Sequence, residues 1–150
     1  MEREVARLEP PCDRFAPGAV RHALAELPEM GWVLGDAMLV ASELVTNAVL
    51  HSMCSDADRL TVAVYRDGTH VRISVRDPGA SGKTARIAEH PGAAGGLGLI
   101  VVDQLADHWG SEHRGDGYEV WAELALPEAT THPGSSSPAA THPGSSSSTD

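Results

Sequence analysis

Apolar and polar positions change period several times along the chain, and each change marks a predicted element. In PGAVRHALAELP, residues 17–28, Val20, Ala23, Leu24 and Leu27 share one stripe between two prolines, which predicts a short amphipathic helix. Leu34, Ala37, Ala41, Leu44, Val45 and Ala48 repeat the helical spacing and predict a longer helix from about Val33 to about Ser52. The period then drops to two. Leu60, Val62 and Val64 alternate with Thr61, Ala63 and Tyr65, and Val71, Ile73 and Val75 alternate with Arg72, Ser74 and Arg76; Asp67-Gly68 between them predicts a hairpin. Residues 78–96, rich in Gly, Ala and Pro, keep no pattern and predict a functional loop or lid. Helical spacing returns over Leu97–Ala106, and Trp109–Arg114 with Tyr118–Leu126 predicts a second hairpin turning at Gly115-Asp116-Gly117. Helices, hairpin, loop, helix, hairpin is the order of an α+β two-layer sandwich, with one antiparallel or mixed sheet covered by helices on one face.

Composition shortens this picture at its end. After Pro127 the chain is low-complexity, and THPGSSS occurs at 131–137 and again at 141–147. A segment without large apolar side chains cannot offset the entropy of ordering it, so residues 129–150 are expected to form a disordered tail and residues 1–128 the folded unit. Asp150 is the tail's single charge; without it 20 acidic and 11 basic residues remain, and the folded unit carries −9 of the chain's −10. That acidity disfavours phosphate backbones and anionic lipid, and three Trp, two Tyr and one Phe leave little for stacking on bases, so no direct nucleic-acid partner is expected. No uninterrupted apolar run approaches the roughly 18 residues of a membrane-spanning helix, and MEREVARLEP lacks a secretory pattern; a soluble, cytoplasmic protein without membrane contact is expected. Cys12 and Cys54 show no metal-ligand spacing and no disulfide framework, so two reduced thiols are expected.

Three groups of residues do not fit a bland core. Asp77 follows Val71, Ile73 and Val75 on one strand face, which aims its carboxylate inward, where it needs hydrogen-bond donors; Asp77-Pro78-Gly79 is equally a turn at a strand end. Glu43, Asn47 and His51 lie at i, i+4 and i+8 of the long helix, drift only about 80° around it, and form one polar stripe with no basic residue between Leu39 and Leu50. A carboxylate, a carboxamide and an imidazole there can act as base, oxygen ligand and phosphate donor, or form a solvated face, against which the missing basic residues argue. Gly95-Gly96-Leu97-Gly98-Leu99 opens the third helix, where free backbone N–H groups and the helix dipole favour an anion. Two decoys fail: this cluster lacks GxGxxG after a strand, and residues 77–84 have Asp77 where a Walker A loop needs its first Gly.

Together, Glu43–His51 (ELVTNAVLH), Asp77-Pro78-Gly79 and Gly96–Val102 (GLGLIVV) resemble the N box and two glycine boxes of the ATP-binding domain shared by DNA gyrase, Hsp90, histidine kinases and mismatch-repair proteins. The fuller strings SELVTNAVLHS, GLGLIVVDQLADHWG and VWAEL are similar to the small bacterial anti-sigma-factor serine/threonine kinases, over roughly residues 15–126. The resemblance implies the two-layer α/β sandwich of that ATPase type, a mixed sheet covered by helices on one face, with ATP and Mg²⁺ as cofactors. It implies that Asn47 coordinates Mg²⁺, Glu43 is the general base, Asp77 accepts the adenine amine and Gly79 lets the purine approach the backbone. Gly96, Leu97, Gly98 and Leu99 then form the phosphate-binding turn, His51 completes the nucleotide-facing stripe, and residues 80–94 form a lid carrying Lys83 and Arg86. Ser81 stands where a second Gly is usual, and Tyr118-Glu119 where Lys-Thr is usual, which implies weaker nucleotide binding through a missing Thr at 119. The implied activity is phosphorylation of an anti-sigma-factor antagonist of the STAS type, regulating transcription by partner switching, with a sigma factor as a second partner and a homodimer as the common assembly. The alternative is an ATP-gated partner-binding module with little or no kinase activity.

Overall fold

In the computed structural model the described residues are 1–52, 54–79, 97–115 and 117–127. The expected tail 129–150 and lid 80–94, with Ser81, Lys83, Arg86 and Gly96, lie outside them. The elements run β1 (Arg3–Leu8), α1 (Ala16–Ala25), a 3-10 turn (Pro28–Val33), α2 (Leu34–His51), β2 (Thr61–Arg66), β3 (His70–Asp77), α3 (Leu97–Leu105), β4 (His108–Arg114) and β5 (Gly117–Ala125). The strands form one sheet in the order β1-β2-β3-β5-β4, with every neighbouring pair antiparallel, so the alternative of a mixed sheet is not realised.

Alternation decides which face of the sheet is dry. Val62 pairs with Val75 and Val75 with Val120, Val64 with Ile73 and Ile73 with Ala122, and Val71 with Leu124; all of these are buried. Onto this face α2 lays Ala37, Val40, Ala41, Leu44 and Val45, flanked by Val20 and Leu24 of α1 and Val102 of α3. By length and composition Pro28–His51 would also pass as a membrane-crossing segment, with mean hydropathy 1.5. Its apolar side chains Val40, Leu44 and Val45 are instead fully buried in this core.

The first hairpin turns as expected: Asp67 Oδ1 accepts the amides of Thr69 and His70, both at 2.7 Å, and these bonds hold its carboxyl below the usual range. The chain also has an element that periodicity misses. β1 is an edge strand whose register shifts between Glu4 and Ala6, so its short REVARL run does not alternate cleanly.

The thiol expectation is overturned. Cys12 and Cys54 are joined as a disulfide, with Cα atoms 6.2 Å apart, inside the span such a bond bridges. An isolated bridge between Pro11 and Arg59 draws the segment after β1 alongside the chain that leaves α2, a contact that a 42-residue separation conceals.

The opposite sheet face carries polar and aromatic groups. Arg72 lies over the Trp121 ring at 4.9 Å, and Ser74 donates to Glu119 at 2.6 Å. Trp121 in turn covers Gly110, where an added Cβ would lie 2.8 Å from its Cζ2. Gly110→Ala is therefore expected to displace the ring and cost about 1–3 kcal/mol, read as a lower urea midpoint with an unchanged m-value.

Candidate functional site

α2 serves the core and a polar site at once. While Leu44 and Val45 face the sheet, Asn47, Ala48, His51 and Ser52 line a narrow cavity whose other wall is Val75 and Asp77 of β3 with Tyr118 and Val120 of β5. Three of the predicted site residues, Asn47, His51 and Asp77, thus come together at one place. The cavity volume is only about 10 Å³, room for a single water.

Asp77 is the chemical centre of this slot. It is 5% exposed, on the core face as its alternation requires, and its Oδ1 accepts the Gly79 amide at 2.8 Å. The inward carboxylate and the strand-end turn are therefore both present in one residue. Burial pushes its carboxyl above the ordinary range, against the backbone N–H groups of Gly79 and Tyr118, which favour the charged form. Gly79 has φ +74°, open to glycine and strained for other residues. Gly117 is a second backbone constraint: an added Cβ there would collide with the carbonyl oxygen of Asp77, so the start of β5 can press against the end of β3 only without a side chain.

Glu43 sits one turn before Asn47 but outside the slot lining, against the first turn of α3. A Cβ on Gly98 would stand 2.5 Å from Glu43 Oε2, so the first turn of α3 lies directly against the end of that side chain. Leu97 begins α3, and Leu99 is half-buried along it without lining the slot. Gly96 lies outside the described residues.

The structure adds slot residues that sequence patterns did not single out. Val75 was reachable, two positions before Asp77 on its face, and Ser52 borders His51. Tyr118 is opposite Asp77 only through the β3–β5 register. Its hydroxyl donates to Ser111 Oγ at 2.9 Å and its ring meets His113 edge-on at 4.8 Å. Glu119 faces the other way, accepting from Ser74 and pairing with Arg114 at 3.1 Å. The expectation that residue 119 weakens the nucleotide site is thereby corrected, because that position points away from the slot.

Comparison with known proteins bears on the fold and the family. The family model described as the histidine kinase-like ATPase domain matches residues 16–124. Among solved structures, the chain is similar to the crystal structure of the RsbU and RsbW domains of Rv1364c from Mycobacterium tuberculosis, at 24% identity and TM-score 0.60. That match covers 81% of this chain and 33% of that one, so this chain spans about a third of the length of its neighbour. It is also similar to a chain of the SiaB-SiaC complex from Pseudomonas aeruginosa, at 16% identity and TM-score 0.57, covering 81% of this chain and 90% of that one. Among curated proteins none matches. With the family model covering most of the chain and both neighbours sharing its fold, the chain belongs to the histidine kinase-like ATPase domain family, and that membership implies an ATP-binding site.

Proposed function

We propose that the chain is an anti-sigma-factor-type protein serine/threonine kinase: it binds ATP in the slot between α2 and the β3–β5 pair and phosphorylates an anti-sigma-factor antagonist of the STAS type. The observation that carries this reading is the convergence of Asn47, His51 and Asp77 on one slot, with Glu43 held one turn away against the head of α3. Asp77 accepts the adenine amine, and the start of α3 offers its amides to the phosphates. Glu43 takes the proton from the substrate hydroxyl as its oxygen attacks the γ-phosphorus; the bond to the β–γ bridging oxygen breaks and ADP leaves.

The donor set fits Mg²⁺. Asn47, lining the slot, offers one neutral oxygen of the kind a hard cation takes. Asn47 would hold the ion, which when bound would neutralise charge on the substrate phosphates. The RsbW domain named in one neighbour and the complex named in the other support a protein partner. A sigma factor as second partner, a homodimer, a cytoplasmic location and a folded unit ending near residue 128 belong to the same proposal.

The protein complex in which one structural neighbour was solved supports a second reading, in which ATP gates partner binding with little or no transfer. One titration series tests both. Wild type is expected to bind ATP more tightly with Mg²⁺ than without it, and Asn47→Ala to lose that difference while keeping Mg²⁺-free binding. Incubation with γ-labelled ATP and a candidate antagonist then separates the readings: label on the antagonist selects the kinase, and ATP-dependent partner binding without label selects the gate. Absence of ATP binding by wild type discards both.

A further inference from the structure

The end of α2 carries a covalent tie that nucleotide binding does not use. The Cys12 amide donates to the Asp58 carbonyl at 2.9 Å and the Leu60 amide to the Pro10 carbonyl at 2.9 Å, so the segment after β1 runs beside the chain between α2 and β2. There Cys12 is bonded to Cys54. Ser52 stands between this bond and the slot: it lines the slot, and its Oγ lies 2.6 Å from Cys54 Sγ and 4.0 Å from Cys12 Sγ. The Cys54 amide also donates to Ser52 Oγ at 3.3 Å. The disulfide therefore backs the wall formed by the last turn of α2.

A purine seated against Asp77 needs more room than these lining residues leave. A cavity of about 10 Å³ holds one water and no base. The opposite wall is built from β3 and β5, which pair without interruption from His70↔Ala125 to Asp77↔Tyr118 and cannot separate without breaking the ladder. Among the described residues the remaining wall is the helix side, and its end is what the disulfide ties to the segment after β1.

We propose that Cys12 and Cys54 form a thiol–disulfide modification site that sets nucleotide affinity. The bonded form keeps the slot narrow; the reduced form lets the last turn of α2 withdraw and admit the base. This inference rests on the nucleotide reading of the slot. In the cytoplasmic location proposed above, such a bond would be transient and redox-sensing rather than a permanent brace.

The chemistry is an ordinary exchange with a low-molecular-weight thiol. Its thiolate attacks Sγ of Cys54, the less buried of the two residues since Cys12 is 5% exposed, and Cys12 leaves as thiolate. A second thiolate then attacks the small-molecule sulfur of the mixed disulfide, the small disulfide forms, and Cys54 leaves as thiolate. The protein disulfide and two thiols become two protein thiols and one small disulfide, and the reverse reaction consumes that disulfide as oxidant.

The test uses the full chain in two states, oxidised with glutathione disulfide and reduced with dithiothreitol, each checked by counting free thiols. ATP is titrated calorimetrically into both. The reduced form is expected to bind at least about fivefold tighter, because the binding-competent slot is then a larger fraction of the population. Cys12→Ser and Cys54→Ser are each expected to show the reduced affinity under both conditions. Affinities within about twofold of each other in the two wild-type states, failure of the bond to form on oxidation, or a redox response that survives in the serine variants overturns this inference alone. ATP binding in neither state overturns the nucleotide reading itself and this inference with it.

Discussion

Asp77→Asn is expected to leave the fold at least as stable as wild type at neutral pH while weakening ATP binding about 10- to 100-fold. The two effects separate because, in the proposed role, the buried carboxylate would stabilise a ligand at the expense of the apo fold. Burial raises the Asp77 carboxyl above its ordinary value, so the folded state favours the protonated form. Stability is then fully present below the ordinary carboxylate pKa and falls as pH rises through the higher folded-state value. The amide variant does not ionise, so its advantage over wild type should grow with pH across that window and vanish in acid. Binding responds in the opposite sense. The Gly79 amide already occupies Asp77 Oδ1, so the carboxamide keeps its oxygen there and turns its NH₂ toward the slot. A donor then meets the adenine amine, another donor, and an unmade buried hydrogen bond costs about 1–3 kcal/mol. Thermal unfolding at several pH values together with ATP titration measures both halves. A variant that loses stability at neutral pH, or binds ATP as well as wild type, contradicts the role given to Asp77.

Glu43→Gln is expected to bind ATP within about twofold of wild type and to transfer phosphate about 10²- to 10⁴-fold more slowly. Glutamine keeps the shape that seats against Gly98 and Glu43 lies outside the slot lining, so binding has no reason to change. What it lacks is a site for the proton released by the attacking hydroxyl. Single-turnover transfer from γ-labelled ATP to the antagonist isolates that step. Wild-type transfer rates in the variant would remove Glu43 from the chemistry without disturbing the slot.

Legibility in the sequence follows the range of the forces involved. α2 and both hairpins read correctly because their apolar spacing is a local property, and the Asp67-Gly68 turn carries its own hydrogen bonds. The stripe Glu43, Asn47 and His51 and the inward Asp77 follow from the same periods, since a period also fixes where polar residues must point. β1 was hidden because an edge strand with a register shift buries too little to need strict alternation. Tyr118 and the outward Glu119 depend on which strand pairs with β3, and the approach of Gly98 to Glu43 depends on how α3 docks on α2. The Cys12–Cys54 bond depends on the Pro11–Arg59 bridge, and no spacing rule anticipates it. Contacts of this kind are decided by assembly, after the local patterns have been spent.

α2 serves two partners in a single frame. Ala41, Leu44 and Val45 meet the sheet while Asn47 and His51 meet the slot, all on one rigid rod. Adding or removing one residue between Ala41 and Leu44 would turn everything downstream by about 100°. The core stripe and the slot stripe would leave their partners together, so no length change there can be absorbed as a loop absorbs one. Substitutions can tune this helix face by face, but its residue count is common to the stability of the fold and to whatever the slot does.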